Sequence, residues 1–145
     1  MYCYRYQHRV RYRECDPMGV VYHAHYLDYF EAARTEALRA MGLAYKTLEA
    51  QGISMPVIDL AVRYKRPAYY DDTLEITTCF TEVPRTRVRI DYEVRRLDEP
   101  TLLVAGHVTL CFVNRALNRP TKAPPLVRTL FEQVLNDQPV AAPST

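Results

Sequence analysis

The stretch Asp16-Pro17-Met18-Gly19-Val20-Val21-Tyr22-His23-Ala24-His25-Tyr26-Leu27-Asp28-Tyr29-Phe30-Glu31-Ala32-Ala33-Arg34 decides how the rest of the chain must fold. It sets a lone carboxylate in a Pro/Gly loop that runs into an apolar, alanine-rich segment. Proline restricts the residue before it and glycine permits a tight turn, so the chain breaks at Asp16–Gly19. From about Ala24 to Met41 the spacing is helical. Leu27, Phe30, Ala33, Ala37 and Met41 recur every three or four positions, and Asp28, Glu31, Thr35 and Arg39 form a narrow polar stripe. Ala24, Ala32, Ala33, Ala37 and Ala40 favour helix and let a sheet approach closely. Gly42 is the expected C-cap. A helix this apolar has to be enclosed.

The enclosing material lies on both sides. Upstream, residues 4–14 alternate: Tyr4, Tyr6, His8, Val10 and Tyr12 share one face, and Arg5, Gln7, Arg9, Arg11 and Arg13 the other. Period two with aromatics on one side predicts a half-buried strand. Downstream, residues 44–51 read as a short second helix ending at Gly52, followed by strands at 56–66, 72–83, 85–97 and 101–114. The clearest alternation sets Thr86, Val88, Ile90, Tyr92 and Val94 against Arg85, Arg87, Arg89, Asp91, Glu93 and Arg95. Leu97-Asp98-Glu99-Pro100 reads as a hairpin turn, and Val108, Leu110 and Phe112 as the core face of the last strand. A short helix is expected near 125–135. The Pro/Ala/Ser tail from Asp137 has a disordered composition. One strand, one long helix and four antiparallel strands make an α+β layout in a single domain over residues 1–136.

Composition narrows the function classes. The 145 residues are 48% hydrophobic and 25% charged, as in ordinary globular proteins, and the formal net charge of +2 argues for no nucleic acid. Tyr and Arg alternate along the first strand on opposite faces, which also disfavours a stacking platform for bases. No apolar run approaches the roughly 20 residues of a membrane span, and Met1–Arg5 lacks the apolar core of a signal peptide, so a cytoplasmic location is expected. Cys3, Cys15, Cys79 and Cys111 are scattered without a C-x-x-C pair and are expected to be reduced thiols.

Asp16 has two readings on spacing alone. It shapes an Asx turn or caps the helix, or it serves as nucleophile or general base beside a helix N-terminus, whose unpaired N–H donors suit a carbonyl under attack. His23 and His25 invite a metal, but two residues apart on a helix their rings point about 200° apart. No third ligand has useful spacing. Glu31 is expected to pair with Arg34 within the helix. Arg85, Arg87 and Arg89 form a cationic ladder, and Lys65 and Arg66 precede Pro67. Such cations serve a solvated face or cradle phosphates.

The pattern D-x-x-G-x-V-Y-H-x-x-Y, running from Asp16 to Tyr26, resembles the signature of hotdog-fold thioesterases of the 4-hydroxybenzoyl-CoA thioesterase type. The resemblance extends over roughly residues 4–115. It implies a curved five-stranded antiparallel sheet around a long central helix and hydrolysis of acyl-CoA to free acid and CoA. Asp16 would be the essential carboxylate, and a backbone N–H at Tyr22 or His23 would polarise the thioester oxygen. The subgroup associated with the bacterial Tol–Pal system resembles the chain further, with a tyrosine four residues before the Asp and a histidine seven after, matched by Tyr12 and His23. Gly19, Val20 and Glu31 would then contact substrate, and some of Lys65, Arg66, Arg85, Arg87 and Arg89 would bind the phosphates of coenzyme A. The resemblance implies no metal or redox cofactor. It also implies a homodimer or homotetramer with sites between subunits, to which a partner contributes from the 54–62 region (Ser54, Met55, Asp59). The alternative is a binding module for acyl-CoA or acyl carrier protein that turns nothing over. The spacing argues against a hotdog dehydratase.

Overall fold

Segments with period-two patterning pair into one antiparallel sheet, and the helical segment lies across its apolar face. The computed structural model describes residues 1–137. Strand β1 (Tyr2–Arg9) leads through a 3-10 turn (Tyr12–Glu14) and the Asp16 loop to α1 (His25–Ala40) and α2 (Tyr45–Ala50). Then come β2 (Ile53–Ser54), β3 (Val57–Tyr64), β4 (Thr73–Phe80), β5 (Arg87–Arg96), β6 (Leu102–Asn114), β7 (Arg119–Thr121) and α3 (Pro125–Asp137). The five long strands run in the order β1-β4-β5-β6-β3, and β2 and β7 are short additions paired with the far end of β6. The fold is α+β, with the hotdog arrangement of sheet and helix.

Alternation dictates which face meets the helix. Val88, Ile90, Tyr92 and Val94 of β5 are buried, whereas Arg87, Arg89 and Glu93 are exposed on the opposite face. From α1, Phe30 stacks on Tyr92 with ring centroids 4.2 Å apart. Gly106 of β6 makes that stacking possible, since a Cβ there would sit 2.8 Å from the Ala61 carbonyl oxygen and 3.0 Å from the Phe30 ring. Gly42, at φ +99, ends α1 as expected. Helix α3 closes one end of the core, with Phe131 edge-on to Phe80.

The structure corrects several expectations. β1 stops at Arg9 rather than continuing to residue 14. The Val10 N–H donates to the Asp72 carbonyl, and the Glu14 side chain closes a 3-10 turn on the Arg11 N–H, so the alternation through Tyr12 is not a strand. Cys3 and Cys79 stand opposite each other in the β1/β4 register and are joined as a disulfide, so the expectation of four thiols fails for this pair; Cys15 and Cys111 are free. Arg34 does not pair with Glu31. It lies on the sheet-facing side of α1, buried, with Nε donating to the Tyr45 hydroxyl at 2.9 Å and Nη1 to that of Tyr92 at 3.2 Å. Leu27, expected on the enclosed face, is 37% exposed, so a single chain leaves that flank of α1 open. Asp137 ends α3 instead of starting the tail, and residues 138–145 lie outside the described residues.

Candidate active site

Asp16 and the start of α1 are brought together by a narrow clasp of backbone. The Tyr22 N–H donates to the Glu14 carbonyl, Cys15 bridges Val21, and the Asp16 N–H donates to the Val20 carbonyl, each N···O distance being 2.9 Å. At the tip the Gly19 N–H returns to the Asp16 carbonyl. Gly19 has φ +84, a conformation that glycine adopts without strain. The Asp16 Oδ1 accepts the Met18 N–H at 2.8 Å and the Val20 N–H at 3.4 Å, an Asx turn. Among the described residues no donor reaches the other carboxylate oxygen. Helix α1 begins only at His25, so Asp16 does not cap it.

Beside this clasp lies a cleft of about 310 Å³ lined by Asp16, Val20, Val21, His23, Tyr26, Tyr64, Lys65, Arg66 and Pro67. The wall opposite the clasp comes from the end of β3. The Tyr64 hydroxyl donates to the His23 carbonyl at 2.9 Å, and the Tyr64 ring lies edge-on to both His23 and Tyr26. The N–H groups of Lys65 and Arg66 both donate to the Leu103 carbonyl, which fixes the two cations at the cleft. Burial pushes the Tyr26 phenol up to about 12. A neutral Tyr26 is therefore part of the wall rather than a base.

Donor accounting separates the two backbone candidates. The Tyr22 N–H is spent on Glu14, whereas the His23 N–H has no acceptor among the described residues. The Ala24 N–H likewise has no acceptor among the described residues, but of the two residues only His23 lines the cleft, so its N–H is the candidate donor for a carbonyl oxygen. The first turn of α1 adds its positive end, although its first three N–H groups already bond Tyr22, His23 and Ala24 carbonyls.

Other expected residues lie elsewhere. Tyr12 is 80% exposed, stands edge-on to Tyr70, and lines a separate cleft with His8, Arg9 and Asp71. Glu31 is exposed on α1 outside the cleft. Arg87 and Arg89 are on the sheet face turned away from α1, where Arg89 pairs with Asp91 at 3.2 Å; Arg85 is exposed just before β5. Ser54, Met55 and Asp59, expected to reach the site from a partner subunit, do not line the cleft of their own chain, and Asp59 pairs with His107. Among the described residues no group of three or more His, Cys, Asp and Glu side chains is placed to hold a metal ion. Burial and the charges of Glu14, Asp16 and Asp72 push the Cys15 thiol up, away from thiolate chemistry. Tyr64 and Tyr26 are the wall residues that sequence reasoning missed. Tyr64 ends a strand whose alternation gives no sign of where its ring goes.

These features agree with what the chain is similar to. The Thioesterase-like superfamily profile matches residues 10–131. The acyl-CoA thioester hydrolase YbgC of Escherichia coli O6:H1 is 34% identical over 130 residues, 90% of this chain and 96% of that protein. YneP of Bacillus subtilis is 42% identical over 69 residues, 48% of this chain and 50% of the relative. Among solved structures, a DHNA-CoA thioesterase from Staphylococcus aureus superposes with a TM-score of 0.86 at 29% identity, covering 96% of each chain. The chain belongs to the thioesterase-like superfamily.

Proposed function

We propose that the Asp16 cleft hydrolyses acyl-CoA thioesters to a free acid and CoA. One observation carries this reading: Asp16, with one carboxylate oxygen that no donor reaches among the described residues, and His23, whose N–H has no acceptor among them, line the same cleft, with two cations at its wall. The thioester oxygen would accept the His23 N–H, which favours the charge that develops there on attack. Asp16 would act in one of two ways. As nucleophile it forms an acyl–aspartyl anhydride and expels CoA thiolate, and water then cleaves the anhydride. As general base it takes a proton from the attacking water, and the tetrahedral adduct collapses with loss of the thiolate. Thiolate is a good leaving group, so neither route demands a strong acid. The route needs water as its only co-reactant, with no metal or redox cofactor. The His23 side chain would orient water or substrate. Lys65 and Arg66, which line the cleft, would meet the phosphates of CoA.

The site would be completed in a homodimer or homotetramer. β3 is an edge strand whose Ile58, Leu60 and Tyr64 are 44–49% exposed, and its last turn of chain carries the cleft wall. Pairing along that edge satisfies its open backbone and sets a second chain beside Tyr64. The compartment proposed is the cytoplasm, where thiol buffers would open the Cys3–Cys79 pair; among the described residues no helix is long and apolar enough to cross a membrane.

The Asx turn at Asp16 favours a second reading, a module that binds acyl-CoA or an acyl carrier protein without turnover, with Asp16 as a loop-shaping residue. Thiol release from short-, medium-, long-chain and aromatic acyl-CoAs separates the two. Asp16→Asn is expected to lower kcat by roughly 10²- to 10⁴-fold while CoA binding survives. Saturable binding with no thiol released from any substrate leaves the binding module.

A further inference from the structure

Two residues before Asp16, a buried glutamate takes no part in the chemistry proposed above. Three donors converge on Glu14 Oε1: the Arg11 N–H at 2.9 Å, His8 Nε2–H at 2.9 Å and the Tyr29 hydroxyl at 2.8 Å. They come from three elements, namely the 3-10 turn, β1 and α1. The His8 and Tyr29 rings also pack on each other, with centroids 4.4 Å apart. Burial alone would raise the pKa of Glu14, but these hydrogen bonds more than offset it and hold the carboxyl below the ordinary glutamate range. The group is therefore a fixed charge at neutral pH. Burial, together with that charge, raises the Tyr29 phenol and keeps it a donor.

The backbone of the same residue faces the other way. The Glu14 carbonyl accepts the Tyr22 N–H, the last rung of the clasp. Asp16 follows Glu14 by two residues on one arm, and His23 follows Tyr22 by one on the other. The side chain thus anchors one arm to β1 and α1, while the main chain ties the second arm to the first. We infer that Glu14 is the positioning residue of the site, setting the separation between the Asp16 carboxylate and the His23 N–H through its bonds to His8, Tyr29, Arg11 and Tyr22. This rests on the reading of Asp16 and His23 N–H as the reacting pair. A shift of about 1 Å in such a pair costs on the order of 10² in rate.

Four proteins test it: wild type, Glu14→Ala, Glu14→Gln and Tyr29→Phe. Each is assayed for kcat and KM, for melting temperature, and by NMR for hydrogen exchange at the Tyr22 and Asp16 amides. Glu14→Ala is expected to lower kcat about 100-fold with KM within about threefold of wild type and to speed exchange at both amides. Glu14→Gln, which still accepts all three donors, should recover most of kcat. Tyr29→Phe keeps the ring edge-on to Tyr26 of the cleft wall and removes only the hydroxyl bonded to Glu14; it should lower kcat about fivefold at unchanged KM. A folded Glu14→Ala with wild-type kcat overturns the inference, as does a loss shared equally between kcat and KM. Should Glu14→Ala fail to fold, Tyr29→Phe decides: slowed turnover at constant KM supports positioning, and wild-type kinetics overturn it. Full activity in Asp16→Asn, or a wild type that releases no thiol, is instead the failure of the thioesterase reading. Amide exchange then judges the clasp alone, and unchanged rates in Glu14→Ala and Tyr29→Phe overturn it.

Discussion

The Tyr64 hydroxyl donates to the main-chain carbonyl of His23 at 2.9 Å, so the last residue of β3 holds the peptide that leads into α1. This bond joins the edge of the sheet to the start of the helix at the cleft. Tyr64→Phe keeps the ring against Tyr26 and removes the bond alone. It is expected to cost about 1 kcal/mol of stability and, because the His23 peptide loses an anchor, to lower kcat by roughly 3- to 10-fold. Chemical denaturation and steady-state thiol release check the two parts. An unchanged kcat would show that the peptide is held well enough without it.

Lys65 and Arg66 are exposed at the cleft with their backbones pinned to Leu103. Exposed cations act weakly and through screening counterions. Replacing either by Ala should raise KM for acyl-CoA by roughly 3- to 10-fold with kcat little changed, and the effect should shrink at high salt. A substrate analogue lacking the nucleotide end should be indifferent to both substitutions.

Gly106 is the position where the sheet leaves no room for a side chain. The methyl group of Gly106→Ala would press on the Ala61 carbonyl, which is backbone, and on the Phe30 ring stacked against Tyr92. Overpacking of this kind costs about 1–3 kcal/mol. Thermal or urea unfolding should show that loss, and a Tm equal to that of wild type would refute the tight approach.

The Glu14 bonds also have a pH signature. Its folded pKa is lowered from 4.5, so its contribution to stability is complete above about 4.5 and is lost as pH falls through the lower folded value. The stability difference between wild type and Glu14→Gln should therefore be constant near neutrality and close in acid. Urea titrations from pH 7 to pH 3 check this, and a difference independent of pH would contradict it.

What the sequence reveals depends on whether the deciding contact is local. The alternation of Val88, Ile90 and Tyr92, the helical spacing of Phe30, Ala33 and Ala37, and the left-handed Gly42 are all set by neighbours in the chain, and all are visible there. The Asp16 loop is legible for the same reason, since its turn is closed by Met18, Gly19 and Val20. Partners distant in sequence are not. Cys3 meets Cys79 only once β1 and β4 take their register, and Arg34 finds Tyr92 across 58 positions instead of Glu31 one turn away. The Val10–Tyr12 alternation continues a strand pattern, yet the carboxylate of Glu14 and the Asp72 carbonyl redirect the backbone. His8 looks like one more core-facing position of a strand. Its role as a donor to Glu14 needs the strand's early end to bring the two together.

The Cys3–Cys79 bond joins residues 76 positions apart, and Asp16, His23, Tyr64, Lys65 and Arg66 all fall between them. The entire cleft thus lies on a covalently closed ring. A protease cut at the exposed Met18 or Tyr70 would open that ring without dividing the molecule. While the disulfide is oxidised, the nicked chain would keep its two pieces covalently linked through Cys3–Cys79, and a reductant would break that link.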